Sequence, residues 1–202
     1  MDKNNVLISN KLNKQSKGGN SMIKKLFATV STLAIIGSAL VGGQSAFAAT
    51  TAIEGGSLSF GTQPSVDNFG SVTLNGQVQN STAAVSAFTV IDATGTGDGW
   101  NVVVKADQFT DSANGLTLPT NSIDIDLPTV TADTGASELA TISKASGKID
   151  SSTGVKILSA AEGGGMGTYN VDANNLTLTL QPKDVKAGTY TSTISVTVTT
   201  GP

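Results

Sequence analysis

The stretch TYTSTISVTVTT at residues 189–200 alternates so regularly that it leaves little choice of secondary structure. Tyr190, Ser192, Ile194, Val196 and Val198 fall on one side of a two-residue repeat; Thr191, Thr193, Ser195, Thr197 and Thr199 fall on the other. An apolar face and a hydroxyl face at period two describe a half-buried antiparallel strand, because successive side chains of a strand point to opposite sides. The stretch NLTLTL repeats the pattern, with Leu176, Leu178 and Leu180 inward and Thr177 and Thr179 outward. Pro182 and the Lys186-Ala187-Gly188 bend join these two strands.

The same period recurs upstream. Trp100, Val102 and Val104 alternate with Asn101, Val103 and Lys105, and Ser86 to Ile91 forms the strand before them. Ile123, Ile125 and Leu127 alternate with Asp124 and Asp126. Leu58 and Phe60 open the series, Val72 and Leu74 precede an Asn75-Gly76 turn, and Asn114-Gly115 marks another turn. Residues 131–150 are small and polar and read as a short helix or a loop excursion, and Glu162 to Gly167 as a flexible, glycine-dense loop. Many short strands between turn signals, with no long helical period, predict an all-β antiparallel sandwich or partly closed barrel, in one domain over 49–202.

The first 48 residues follow other rules. Residues 1–21 are a polar, Lys-rich extension. From Met22, two lysines precede an apolar run from Leu26 to Val41, and Ala46-Phe47-Ala48 has the small-residue form of a cleavage site. This is the pattern of a secretory signal peptide over 22–48, and the run is short for a membrane span, so no membrane span is expected after cleavage. The remaining chain carries 6 lysines and 14 acidic residues, a net charge of −8. That balance argues against nucleic-acid partners, which need clustered cations, and against electrostatic docking on anionic lipid. The chain ends at Thr200-Gly201-Pro202 without a sorting motif or hydrophobic tail, so an exported form is expected to be released or held non-covalently.

Histidine and cysteine are both absent. The usual general base, the thiolate nucleophile and the commonest metal ligands are therefore missing. Asp124 and Asp126 are two apart on one strand face, where they read as solvated charges rather than as a carboxylate pair across a cleft. The GTGDG run offers carbonyls and one carboxylate but not the dense acidic spacing of a calcium loop; it reads as a turn with glycines at positive φ and an Asp capping a backbone amide. EGGGMG lacks the Lys and Ser/Thr of a phosphate loop. No enzyme activity and no cofactor are expected. Trp100 and Tyr190 have two readings, core packing or ligand contact; their phase with Val102 and Val104, and with Ile194 and Val196, favours the core.

Two motifs in the chain resemble those of WxL domains, the wall-binding domains of low-GC Gram-positive surface proteins. The stretch Asp92 to Val104, DATGTGDGWNVVV, is similar to the glycine-rich turn before a W-x-L motif, with Val102 for Leu. Tyr190, Ile194, Ser195, Val196, Thr197, Val198 and Pro202 resemble the second motif, Y-x-x-x-L-T-W-x-L-x-x-x-P, with every interval kept and Val196 in place of its Trp. The Leu58-Ser59-Phe60-Gly61, Gly165 to Tyr169 and Ala187-Gly188-Thr189 stretches are also similar. The resemblance implies a secreted, non-catalytic protein at the cell wall or cell surface, binding peptidoglycan or another wall glycan non-covalently. It also implies other cell-surface proteins as further partners. Its motif residues Trp100, Val102, Tyr190, Ile194, Val196, Val198 and Pro202 are the candidate site. The alternative is a self-assembling extracellular fibre or matrix subunit, since flat Thr-rich strands pair edge to edge.

Overall fold

A computed structural model describes residues 50–202; the polar extension at 1–21 and the signal peptide expected at 22–48 lie outside the described residues. Fourteen strands follow in order: β1 Leu58–Phe60, β2 Gln79–Val85, β3 Phe88–Asp92, β4 Trp100–Ala106, β5 Thr110–Asp111, β6 Leu116–Thr117, β7 Ile123–Ile125, β8 Val130–Ala132, β9 Ile142–Lys144, β10 Gly147–Lys148, β11 Val155–Ala160, β12 Gly167–Val171, β13 Asn174–Leu180 and β14 Ile194–Thr200. One 3₁₀ turn, Leu139–Thr141, stands within the 131–150 excursion. No helix among the described residues is long and apolar enough to cross a membrane.

The strands form three four-stranded antiparallel sheets, ordered β1-β3-β12-β8, β10-β7-β13-β2 and β14-β4-β11-β9, and the small hairpin β5-β6. They share one apolar core that includes Trp100, Val102, Val104, Phe88, Val90, Tyr169, Ile123, Ile125 and Leu176. The sheets pack on each other without closing into a barrel, so the expected all-β fold takes its sandwich form. Consecutive strands do not always stay together. The Asp92–Gly99 turn carries the chain from the β1-β3-β12-β8 sheet to the β14-β4-β11-β9 sheet, and residues 181–193 carry it from β13 to β14, again between sheets.

Register follows the alternation. β14 lies antiparallel on β4, with Val196 opposite Val104, Val198 opposite Val102 and Thr200 opposite Trp100. β11 flanks β4 on the other side, with a bulge between Lys156 and Leu158. One extra residue in one strand breaks the strict alternation, and here both Ile157 and Leu158 are buried.

Three local expectations are corrected. The alternation read as one strand over 190–199 yields β14 only from Ile194; Thr191 makes an isolated bridge to Thr110, because the Gln108-Phe109 segment separates β4 from β5. The Ile123–Leu127 alternation stops at Ile125, and Leu127, before Pro128, is exposed. Val72 and Leu74 lie outside any strand, although the Asn75-Gly76 turn forms, with Gly76 at φ +76° and Asn75 Oδ1 accepting the Gln77 amide at 2.9 Å.

Candidate functional site

Trp100 opens β4 and is fully buried. Its indole Nε1 donates to the Gly165 carbonyl at 2.8 Å. Its ring meets Tyr169 edge-on, with centroids 5.6 Å apart and planes at 60°. Edge-to-face contact lets the positive rim of one ring meet the negative face of the other. The Tyr169 hydroxyl donates to the Ser137 carbonyl at 2.9 Å, and burial, the largest influence on it, pushes its pKa up.

The glycine-dense loops build this cage. Gly95, Gly97 and Gly99 all have positive φ, and Asp92 Oδ1 accepts both the Thr94 amide at 3.0 Å and its hydroxyl at 2.6 Å. The Gly163 amide donates to the Gly97 carbonyl at 2.8 Å, so the two glycine runs are tied together. Gly165 has φ +77°, and a Cβ there would sit 2.4 Å from the Ala160 Cβ and 2.7 Å from Trp100 Nε1. The EGGGMG stretch, expected to be a flexible loop, is thus a fitted lid over the indole. The signal for this role was present in the Gly165 to Tyr169 stretch, but its pairing with Trp100, 65 residues away, is not visible in one dimension.

The register sets the two motifs side by side. Their inward residues, Trp100 and Val102 on β4 and Val196 and Val198 on β14, join the same core, the first pair sealed and the second half-buried. The strands' other faces share one side of the sheet, where Thr199, Thr197, Ser195, Lys105, Lys156 and Ser143 are exposed while Asn101 is buried. Thr199, Asn101, Ser159 and Ser143 lie directly opposite one another across β14, β4, β11 and β9. Beside this row come Thr197, Val103 and Lys156, then Ser195 and Lys105. The Asn101 amide Nδ2 donates to the Gly201 carbonyl, which holds the chain next to the exposed Pro202. Lys105 and Lys156 are exposed and form no ion pair among the described residues, whereas Lys148 is paired with Asp124 and Lys183 with Asp184. Asp124 and Asp126 therefore make no acid pair: one is matched to a lysine across β7 and β10, and the other is exposed.

Tyr190 packs against the edge of the core and also borders open space. It is half-buried, its hydroxyl donates to the Lys186 carbonyl at 3.0 Å, and it lines a cavity of about 600 Å³ with Val66, Phe69, Phe109, Ile194 and Val196. The Ala187-Gly188-Thr189 segment before it is anchored by a residue that sequence reasoning did not single out. Buried Asp111 accepts the Thr189 amide at 3.0 Å and two donors of Asn114, its side chain at 2.8 Å and its backbone amide at 3.1 Å. The Asn114 side-chain bond, with the backbone amides, holds the Asp111 carboxyl below its ordinary range despite burial. Gly188 lies against it: a Cβ there would approach Asp111 Oδ2 to 2.4 Å.

The residues that resemble WxL motifs are therefore brought together on paired strands, with Trp100 and Val102 sealed inside, Tyr190, Ile194 and Val196 around an open groove, and Pro202 at the surface. No curated protein and no solved structure matches the chain. A family model does, the WxL domain described as surface cell wall-binding, over residues 52–202, which is nearly all of the described chain. On that match the chain belongs to the WxL domain family, whose place is the cell wall or cell surface.

Proposed function

We propose that this protein is a non-catalytic wall-attachment domain that binds peptidoglycan non-covalently through the outer face of the β14-β4-β11-β9 sheet. The observation that carries the reading is the set of exposed hydroxyls of Thr199, Thr197, Ser195 and Ser143 beside the exposed Lys105 and Lys156, on the sheet whose inner residues include the two motifs. Trp100 and Val102 are fully buried and act as the frame, not as the contact. A face of hydroxyls suits the hydroxyl and acetamide groups of a glycan. On a domain of net charge −8, the ammonium groups of Lys105 and Lys156 on this face suit the glycan's carboxylates.

The test is sedimentation with purified peptidoglycan. The wild-type protein is expected in the pellet, and the Lys105→Glu, Lys156→Glu double variant is expected to lose most binding while keeping its fold, since both positions are exposed. Binding is also expected to weaken with added salt, because the lysines are solvent-screened. Wild-type protein that stays in the supernatant at low salt overturns the reading.

A further inference from the structure

The cavity at Tyr190 is a gap between the loop segment 61–67 and the strand β14. On one side, residues 61–67 run along 84–89: the Gly61 amide donates to Thr89 O at 2.9 Å, the Ser86 amide to Ser65 O at 2.8 Å, and the Asp67 amide to Ala84 O at 2.9 Å. On the other side, β14 is an edge strand that pairs only with β4. The parity of that pairing is fixed beyond its lower end, where Thr191 and Thr110 exchange both backbone bonds, at 2.8 and 2.9 Å, and Thr193 O accepts the Asp107 amide at 2.9 Å. In an antiparallel ladder the residues alternate in the side to which they turn their N–H and C=O groups. Ser192, Ile194 and Val196 therefore direct their main-chain groups away from β4, and they find no backbone partner among the described residues. Their side chains line the same cavity.

β1 approaches β14 without pairing with it, so the main-chain groups of this edge stay unbonded among the described residues. From Ser192 to Thr200 there is no charged residue and no proline, and the pairing runs without a bulge from Ile194 to Thr200. Such edges recruit another strand unless something covers them.

An occupant exists at the far end of the domain. Residues 50–57, TTAIEGGS, are exposed and belong to no strand. The segment is fastened at Gly56, whose amide donates to Ala93 O at 2.6 Å. Ile53 is 91% exposed, the most exposed large apolar side chain among the described residues. Ala93 adjoins the Trp100 end of β4, whereas Ile194 pairs with Ala106 at the other end, so the seven residues of β4 separate arm from groove by roughly 20 Å. Ile53, three residues from Gly56, reaches about 10 Å at most. The arm therefore cannot fill its own groove.

We infer that the groove takes the arm of a second copy: residues 50–57 of one molecule add as a strand to the Ser192–Val196 edge of the next, with Ile53 seated among Phe69, Phe109, Tyr190 and Val196. Alternation then turns Ala52 and Glu54 out to solvent. Arm and groove are different surfaces, so unless two molecules exchange arms reciprocally each contact leaves a free arm and a free groove, from which a head-to-tail chain grows. This uses the edge of β14, not its outer face, and does not depend on the wall-binding reading.

The chain has no cysteine, so a pair can be introduced cleanly at two exposed positions. Protein expressed from the full-length chain with Ala52→Cys and Asn68→Cys, the latter on the groove rim, is treated with a short bismaleimide without any wall material, so that Ile53 is kept. The expected result is a ladder of dimer, trimer and longer products on a denaturing gel. Ala52→Cys with Lys144→Cys, on the opposite edge of the sheet, is expected to give monomer. Sedimentation of the cysteine-free protein is expected to show oligomers that Ile53→Asp returns to monomer. Monomer from the groove pair, or equal ladders from both pairs, overturns the inference, as does sedimentation that Ile53→Asp leaves unchanged. Because no peptidoglycan is present, a failure here is distinct from failure of wall binding.

Discussion

Trp100 illustrates what one residue contributes to this fold. Removing its side chain leaves a void in the core and strands the Gly165 carbonyl, and Trp100→Ala is expected to cost about 3–5 kcal/mol in urea unfolding. Gly165→Ala adds only a methyl group, but at φ +77° and against both Ala160 and the indole nitrogen. Its cost is expected to exceed about 1 kcal/mol and to shift the emission of the sole tryptophan. Val196 behaves in the opposite sense. It borders a cavity of about 600 Å³, so Val196→Trp has room to extend and is expected to leave the denaturation midpoint unchanged or higher; a clear drop would mean that the groove is not free space. The inward orientation of Trp100 was legible from its phase with Val102 and Val104. That Tyr190 borders a groove was not, since its phase with Ile194 and Val196 is the same whether the space beside it is filled or open.

At the scale of elements, patterning identified β3, β4, β7, β13 and β14, whose alternation is regular, and missed β11, whose bulge buries Ile157 and Leu158 in succession, and β2, whose inner face is small. β2, QNSTAAV, presents Ala83 and Ser81 opposite Leu176 and Leu178. Small residues fit there because the partner strand supplies the volume, and no hydrophobic periodicity remains in β2 to be read. The Asp111 connection escaped for a related reason: its meaning lies in Thr189, 78 residues on, which its carboxylate holds against the β5-β6 hairpin. Because the folded pKa of Asp111 lies below its ordinary value, the carboxylate stabilises the fold at neutral and mildly acidic pH. That contribution disappears as pH falls through the folded value. Urea midpoints measured from neutral pH into the acid range are therefore expected to fall less steeply for Asp111→Asn than for wild type. Parallel profiles would assign the acid loss to other groups.

The whole molecule is closed by distant pairings. The cage around Trp100 joins the Asp92–Gly99 turn, Ser137, Gly165 and Tyr169, and at its rim the Gly201 amide donates to Gly99 O at 3.0 Å. β4 is an interior strand only because β14 covers one side of it, over seven paired residues that begin with Ile194 and Ala106. Contacts so far apart in sequence must be closed before any of them is rewarded, which makes folding slow and cooperative. Tryptophan fluorescence and far-ultraviolet circular dichroism are accordingly expected to report one coincident unfolding transition. Deleting residues 194–202 would strip Ile194, Val196 and Val198 from the core and leave β4 as a bare edge. The truncated chain is expected to lose the cooperative transition in both signals and to emit as a solvent-exposed indole. A truncated chain that kept a sharp fluorescence transition would show that the Trp100 cage assembles independently of the second motif, and would separate the two motifs that the register places side by side.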